Sequence, residues 1–108
     1  MNTGDIVLIP FPFAELTQVK ARPTVVIAQT ADAYKDIIVA AISSVIPDAL
    51  SKNEFTIMPE AGNGLRVKSI IKVDRIVTTK KENIIVKLGR LSEGDTATFK
   101  NIFNGLVN

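Results

Sequence analysis

The sequence places Arg22 directly before Pro23, at the start of the apolar segment TVVIA (residues 24–28). A proline disfavours helical backbone in the residue that precedes it, so Arg22 is held extended and its side chain leaves the chain in a restricted direction. Such a guanidinium is either an ordinary surface cation or a fork of hydrogen-bond donors aimed at an anion such as a phosphate. Arg22 is therefore the first candidate for chemistry.

A hydroxyl is the second candidate, because Ser43 ends another apolar segment, residues 37–43. If this segment and the one after Arg22 form an antiparallel hairpin, a symmetric register places Ala28 opposite Ile37 and Arg22 opposite Ser43. The cation and the hydroxyl would then share the open end of one hairpin. A slip of one residue would place them on opposite faces of the sheet.

Lys72 and Asp74 form the third candidate set. They lie two residues apart in the strand-like segment SIIKVDRIVTT (69–79), and side chains at that spacing share one face of an extended strand. A pair of this kind can also be a plain cross-strand charge pair on an exposed surface. The spacing by itself leaves both interpretations open.

The composition narrows the chemistry that these side chains can perform. The chain has no cysteine and no histidine, which removes thiol nucleophiles, thiolate or imidazole metal sites and the usual general base near neutral pH. Catalysis would have to use carboxylates, hydroxyls, lysine, arginine and backbone groups, and we expect no metal and no cofactor. Tryptophan is absent and aromatic residues make up 6%, which disfavours extensive base-stacking platforms.

Charge is distributed unevenly along the chain, although the net charge is only +2. The segment from Arg66 to Arg90 contains eight basic and two acidic residues, which gives it +6 and leaves −4 for the remainder. A basic sector on a small domain is typical of a surface that binds a polyanion. A solvated lysine-rich face explains the same charge equally well.

The elements that must position these residues are mostly short strands. An apolar run that begins after Asp5 is expected to stop at Pro10 and Pro12, since a central strand cannot accommodate proline, and a polar loop is expected over residues 14–21. The remaining predicted strands are 24–28, 37–43, 54–58, 69–79 and 83–91. Short strands at close spacing predict a small, partly open β-barrel.

The C-terminal segment has a different pattern. Ser92 and Asp95 resemble a capping box, and Phe99, Ile102, Phe103 and Leu106 follow at helical spacing. We therefore predict a single mainly β domain over residues 1–108 with a C-terminal amphipathic helix. No apolar run reaches the length of a membrane helix and no signal peptide is recognisable, so we expect a cytoplasmic protein without membrane contact.

Five short stretches, taken in order, resemble the MazF/PemK family of toxin endoribonucleases: GDIVLIPFPF, ARPTVVIA, IVAAISS, KSIIKVDRI and VKLGRLS. The resemblance covers essentially the whole chain. It implies an SH3-like barrel of the MazF/PemK/CcdB kind with a C-terminal helix, acting as a homodimer. The implied activity belongs to type II toxin–antitoxin systems: metal-independent cleavage of single-stranded RNA at short sequence motifs. The implied partners are single-stranded RNA and a cognate antitoxin protein.

The resemblance also implies roles for the candidate residues. Arg22 occupies the position of the family's catalytic arginine, and Ser43 that of a hydroxyl residue that is usually threonine. Lys72 and Asp74 match an arginine and an aspartate that act as acid and base in one branch of the family. The residues expected to contact RNA, which lie in or beside the 14–21 loop and in the basic segment, are Phe13, Gln18, Lys20, Lys68 and Arg75. Of Phe11 and Phe13, at least one is expected to pack in the core rather than stack on a base.

Two other functions are compatible with the sequence. Serine in place of threonine at 43, and lysine in place of arginine at 72, would suit a non-catalytic SH3-like module that binds RNA or protein. A toxin of the same fold that poisons DNA gyrase through protein contact is the third hypothesis. The Arg22–Pro23 and Ser43 pattern argues against it, because that mode of action needs no such pair.

Overall fold

Six strands form one antiparallel sheet in the order β4-β5-β3-β2-β1-β6, in a computed structural model that describes residues 1–12 and 19–107. The strands are β1 (Asp5–Pro12), β2 (Val19–Gln29), β3 (Ile37–Ser43), β4 (Glu54–Ile57), β5 (Ser69–Thr79) and β6 (Val86–Arg90). A 3₁₀ turn (Lys81–Asn83) precedes β6, and the helix α1 (Glu93–Asn104) follows it. This curled half-barrel with a C-terminal helix confirms the predicted fold class.

The first strand is longer than the prolines suggested. β1 continues to Pro12, and both Pro10 and Pro12 are paired with β2. The pairing of β1 with β6 covers Asp5–Leu8, so among the described residues the distal half of β1 has a neighbouring strand on one side. A residue that lacks an N–H is tolerated on such a free side, and the expectation that the prolines would stop the strand was therefore wrong.

The second strand also begins earlier than expected. β2 starts at Val19, whereas a loop was predicted through residue 21, and Arg22 lies within the strand opposite Ile9. The long β1 provides hydrogen-bonding partners for this extra length, down to the pair Pro12–Val19. Arg22 is thus held by a strand neighbour and not merely by the proline that follows it.

The predicted hairpin of β2 and β3 is present, with one correction to its register. The pairs run from Thr24–Ala41 to Val26–Val39 in the predicted register, but a bulge then shifts the pairing. Ile37 consequently pairs with Gln29 and not with Ala28. A bulge adds one residue to one strand, which an apolar pattern does not reveal.

The buried side chains form two clusters on opposite faces of the sheet. The larger cluster contains Ile6, Val25 and Ile71, and α1 covers it with Phe99, whose side chain is 1% exposed. The smaller cluster lies on the other face and contains Phe11, which confirms that this ring packs in the core.

The C-terminal helix begins as its capping residues predicted. Ser92 Oγ accepts a hydrogen bond from the Asp95 backbone N–H at 3.1 Å, which satisfies one of the free donors of the first turn. In the described part of the chain, no helix has the length and apolarity needed to cross a membrane.

Candidate functional site

Arg22 and Ser43 lie on the same face of the sheet, at one end of the β2–β3 hairpin. Each residue is two positions beyond the pair Thr24–Ala41, and side chains two apart on a strand share a face. Neighbouring strands are separated by about 5 Å, so the two residues are close neighbours in the sheet. Both are partly buried. We refer to this side of the sheet as the Arg22 face.

The Ser43 hydroxyl is engaged in a tight local turn. Its Oγ accepts a hydrogen bond from the Val45 backbone N–H at 3.1 Å, and it lies 3.4 Å from the Val45 carbonyl oxygen. The second distance is long for a hydroxyl donor. The hydrogen bond from the Val45 N–H fixes the position of Oγ, while the hydroxyl proton of Ser43 is only weakly hydrogen-bonded.

Lys72 lies on the Arg22 face, one strand farther along the sheet. Ser43 pairs with Ile70, and Lys72 is therefore the diagonal neighbour of Ser43. Diagonal cross-strand neighbours lie about 7–8 Å apart, within reach of a lysine side chain. Glu54 pairs directly with Lys72 from β4, and its Oε1 accepts a bond from the Ser51 backbone N–H at 2.9 Å.

Asp74 lies in an irregular part of β5. Ala40 pairs with Ile76 and Ala41 with Lys72, so residues 73–75 interrupt the ladder and the simple alternation of faces. The Asp74 carboxylate is exposed and accepts a hydrogen bond from Asn53 Nδ2 at 3.1 Å. Its immediate side-chain partner is thus Asn53, an amide that the sequence pattern did not single out.

A cavity of about 390 Å³ opens at the same end of the hairpin, and Arg22 belongs to its lining. Its lining residues are Leu8, Arg22, Pro23, Ile42, Ser44, Gly64, Leu65, Arg66, Val67, Ser69 and Leu88. Pro23, Ile42 and Ser44 alternate with Arg22 and Ser43 along their strands and therefore face the other side of the sheet. We call this space the Arg66 cavity.

One wall of the Arg66 cavity is built by a loop without regular pairing. Asn63, which is 3% exposed, holds this loop through three bonds. Its Oδ1 accepts from the backbone N–H groups of Glu60 and Leu65, and its Nδ2 donates to the Met58 carbonyl at 2.9 Å. Gly64 follows with a φ of +73°, a conformation that favours glycine.

The basic segment of the sequence does not form a single patch. Arg66 lies at the cavity, whereas Lys87 is 3.5 Å from the buried Asp5 carboxylate. Arg90 lines a separate, larger hollow beside the start of α1. Lys68 and Arg75 are exposed.

The remaining predicted RNA contacts are divided between described and undescribed residues. Lys20 is exposed on β2 and pairs with Phe11. Phe13 and Gln18 lie outside the residues that the structure describes. Across residues 1–12 and 19–107, no group of three or more carboxylate, imidazole or thiol side chains is placed to hold a metal ion.

Five polar residues near the site were not singled out from the sequence: Ser44, Asn53, Glu54, Arg66 and Ser69. Arg66 could have been found from the sequence, since it opens the basic segment. The positions of the other four depend on how β3, β4 and β5 come together, and that register is not readable from apolar patterns.

The family model described as PemK-like, MazF-like toxin of type II toxin–antitoxin system matches residues 2–105. No curated protein sequence gave a significant match.

Two solved structures have a similar fold. An endoribonuclease solved in complex with its cognate antitoxin, from a mycobacterial species, superposes with a TM-score of 0.74 at 12% identity, over 97% of this chain and 92% of the other. The Mycobacterium tuberculosis toxin MazF-mt6 superposes with a TM-score of 0.66 at 17% identity, over 94% and 93%. At these identities the structures establish the shared fold, and the family model, which spans nearly all of the sequence, establishes the kinship. The chain belongs to the PemK-like, MazF-like toxin family of type II toxin–antitoxin systems.

Proposed function

We propose that this protein is a metal-independent endoribonuclease that cleaves single-stranded RNA at short sequence motifs, as the toxin of a type II toxin–antitoxin system. The observation that carries the proposal is the placement of Arg22 and Ser43 on one face of the sheet, in a chain whose residues 2–105 match the toxin family. A cation and a hydroxyl at neighbouring positions suit the recognition of a phosphodiester.

The reaction uses the substrate as its own nucleophile. The 2′-oxygen of the ribose attacks the adjacent phosphorus, the bond from phosphorus to the 5′-oxygen breaks, and the products are a 2′,3′-cyclic phosphate and a 5′-hydroxyl. One proton leaves the 2′-hydroxyl and one reaches the departing 5′-oxygen. The protein supplies positioning, charge stabilisation and these proton transfers, which requires neither a thiol nor an imidazole.

We assign to Arg22 the stabilisation of the negative charge that develops on the phosphorane oxygens. Its guanidinium carries a positive charge and has several donors in a fixed plane, which match two phosphate oxygens at once. Electrostatic stabilisation is therefore its role, and proton donation is left to another group.

We assign to Ser43 a hydrogen bond to the same phosphate. The Val45 N–H holds Oγ in place, so serine here has a restraint that the threonine methyl would otherwise provide. The hydroxyl can then donate a hydrogen bond to a phosphate oxygen while Oγ keeps its bond from the Val45 N–H.

Lys72 and Asp74 are assigned the proton transfers that the family resemblance implies. Asn53 orients the Asp74 carboxylate through its 3.1 Å bond, and Lys72 lies diagonal to Ser43. The exposed Lys20, Lys68 and Arg75, together with Phe13 and Gln18, are assigned to binding the flanking RNA. Phosphate contacts of this kind make binding sensitive to salt.

We further propose that the toxin acts as a homodimer in the cytoplasm and is inhibited by a cognate antitoxin. One structural neighbour was solved with its cognate antitoxin, which supports the expectation of such a partner here. Light scattering on the purified protein measures the dimer directly, and a single monomeric species would contradict it.

The test of cleavage uses purified protein with a defined single-stranded RNA panel in the presence of a chelator. We expect site-specific cuts with cyclic-phosphate ends, no cut where the nucleotide 5′ to the site carries a 2′-deoxyribose, and strongly slowed cutting by Arg22→Ala. An RNA panel that stays intact with folded wild-type protein would refute the nuclease and leave the non-catalytic binding module as the better account.

A further inference from the structure

We propose that the Arg66 cavity binds one nucleotide of the RNA, with the base against its apolar floor and the phosphate at Arg66. This inference rests on the proposed function, because it assumes that single-stranded RNA passes Arg22. It adds a binding site on the side of the β2–β3 hairpin that faces away from Ser43, and it predicts which bases that site prefers.

The size and floor of the cavity suit a nucleobase. Its volume of about 390 Å³ falls within the range of small-molecule sites. The floor is aliphatic, with Leu8, Pro23 and Leu65 among its residues. A flat apolar ring face packs well on such a surface, and bases of single-stranded RNA are free to leave the stack.

The charges around the cavity favour an anion beside that base. Arg22 and Arg66 both line it, and none of the described residues that line it is acidic. A nucleotide combines an apolar ring with an anionic phosphate, and this is the combination that the cavity complements. Arg22 belongs to this lining and, like Ser43, lies two residues beyond the ladder pair Thr24–Ala41. It is therefore the residue that links the cavity to the cleaved phosphate.

Ser69 gives the cavity a preference among bases. The Ser69 side chain is 3% exposed, and its Oγ donates a hydrogen bond to the Val67 carbonyl at 3.0 Å. Since the proton is used, the remaining capacity of this oxygen is to accept a bond. It can accept a bond from the exocyclic amino group of adenine, which projects from the ring edge. The ring donor of uracil, N3–H, lies between two carbonyl oxygens, which would approach the same Oγ lone pairs, so the site favours adenine over uracil.

The experiment measures binding separately from cleavage. Fluorescein-labelled 2′-O-methyl RNA cannot supply the attacking hydroxyl, so its affinity can be followed by anisotropy over a range of salt concentrations. We compare oligoadenylate with oligouridylate, on wild type and on three variants: Arg66→Ala, Ser44→Phe and Ser69→Ala. Ser44 is exposed, so the added ring fills the mouth of the cavity without entering the core.

Matched controls separate the cavity from general surface effects. Lys100→Ala removes one cation from an exposed position on α1, and Thr98→Phe adds one ring to an exposed position on the same helix. Urea denaturation of each variant shows whether it is folded. Unmodified RNA is assayed for cleavage in parallel.

We expect Arg66→Ala to weaken binding and to reduce the slope of log affinity against log salt by about 0.7, the value for one lost phosphate contact on a single strand. Ser44→Phe should weaken binding by about tenfold with an unchanged slope, because the added ring keeps the base from the apolar surface that it would bury and removes no charge. Ser69→Ala should abolish a preference for oligoadenylate that the wild type shows. Both controls should bind as the wild type does.

The outcomes separate this inference from the proposed nuclease. Cleavage by the wild type, combined with normal binding by Arg66→Ala and Ser44→Phe, would overturn the nucleotide site and leave the nuclease intact. Binding that depends on the cavity, without cleavage of unmodified RNA, would refute the nuclease and support the site. Equal wild-type affinity for the two oligomers would overturn the role of Ser69.

Discussion

Two regions meet at the candidate site, and they are held in different ways. The hairpin of β2 and β3 carries Arg22 and Ser43 on regular strands, so a backbone ladder sets their positions. The loop of residues 58–68 carries Arg66 and is held by Asn63 and by close glycine contacts. One region depends on repeated, similar bonds, whereas the other depends on a few individual contacts.

This difference predicts where substitutions act. On the hairpin, the side chains that face the substrate can change with little cost to the fold, so their loss should appear in activity. On the loop side, single residues hold the backbone, and their loss should appear in stability.

Arg22 should produce the largest loss of activity. We expect Arg22→Ala to lower the single-turnover cleavage rate by about 10²–10³-fold, the usual cost of removing a donor that stabilises transition-state charge. Arg22→Lys should fall between that variant and the wild type, because it keeps the charge and loses the two-pronged geometry. Lys52→Ala, an exposed cation outside the site, is the control. A cleavage rate for Arg22→Ala near that of the wild type would refute the assignment of the hairpin side chains to activity.

Gly89 should produce the largest loss of stability. A Cβ at this position would collide with the Gly62 carbonyl oxygen, which itself accepts a bond from the Arg90 N–H at 2.8 Å. We expect Gly89→Ala to lower the free energy of unfolding by about 3 kcal/mol, as measured by urea denaturation. Gly94→Ala is the matched control, since its Cβ would meet open space on α1 and should be neutral or slightly stabilising. Similar stabilities for the two variants would contradict the close contact.

Substitution of Asn63 should cause the next largest loss of stability. Asn63→Ala leaves the Met58 carbonyl and two loop N–H groups without their partner, so we expect a loss of about 2 kcal/mol in urea denaturation. Asn101→Ala, at an exposed position on α1, should change stability by less than about 0.5 kcal/mol. An Asn63→Ala protein as stable as this control would show that the loop does not need its central amide.

Ser43 should produce the smallest of the four effects. We expect Ser43→Ala to lower the cleavage rate by about tenfold, the value of one hydrogen bond to a charged group, with little change in stability. Thr30→Ala is the control, because Thr30 Oγ1 also accepts a bond from a backbone N–H, that of Asp36, at the other end of the hairpin. Ser43→Thr should retain activity. Equal rates for Ser43→Ala and the wild type would leave Arg22 as the sole contributor from the hairpin.

Much of the fold could be predicted from local patterns. Apolar segments rich in β-branched residues predicted β3 and β5 closely, and Ser92 with Asp95 predicted the start of α1. These signals are local, because each one concerns residues that contact their own near neighbours. The limits of β1 and β2 were not predicted, since the free side that tolerates Pro10 and Pro12 depends on where β6 ends.

Residue types and the conformational effect of proline are local properties, so the chemical inventory and the extended backbone of Arg22 before Pro23 follow from the sequence. The symmetric hairpin offered the register found near Arg22 as one possibility, which a slip of one residue would have changed. Three features of the site follow only from the tertiary structure. They are the bulge before Ala28, the pairing of Lys72 with Glu54, and the presence of Arg22 and Arg66 in the lining of one cavity. Each of these joins segments far apart in the chain or shifts a register by single residues, and hydrophobic periodicity carries no information at that resolution.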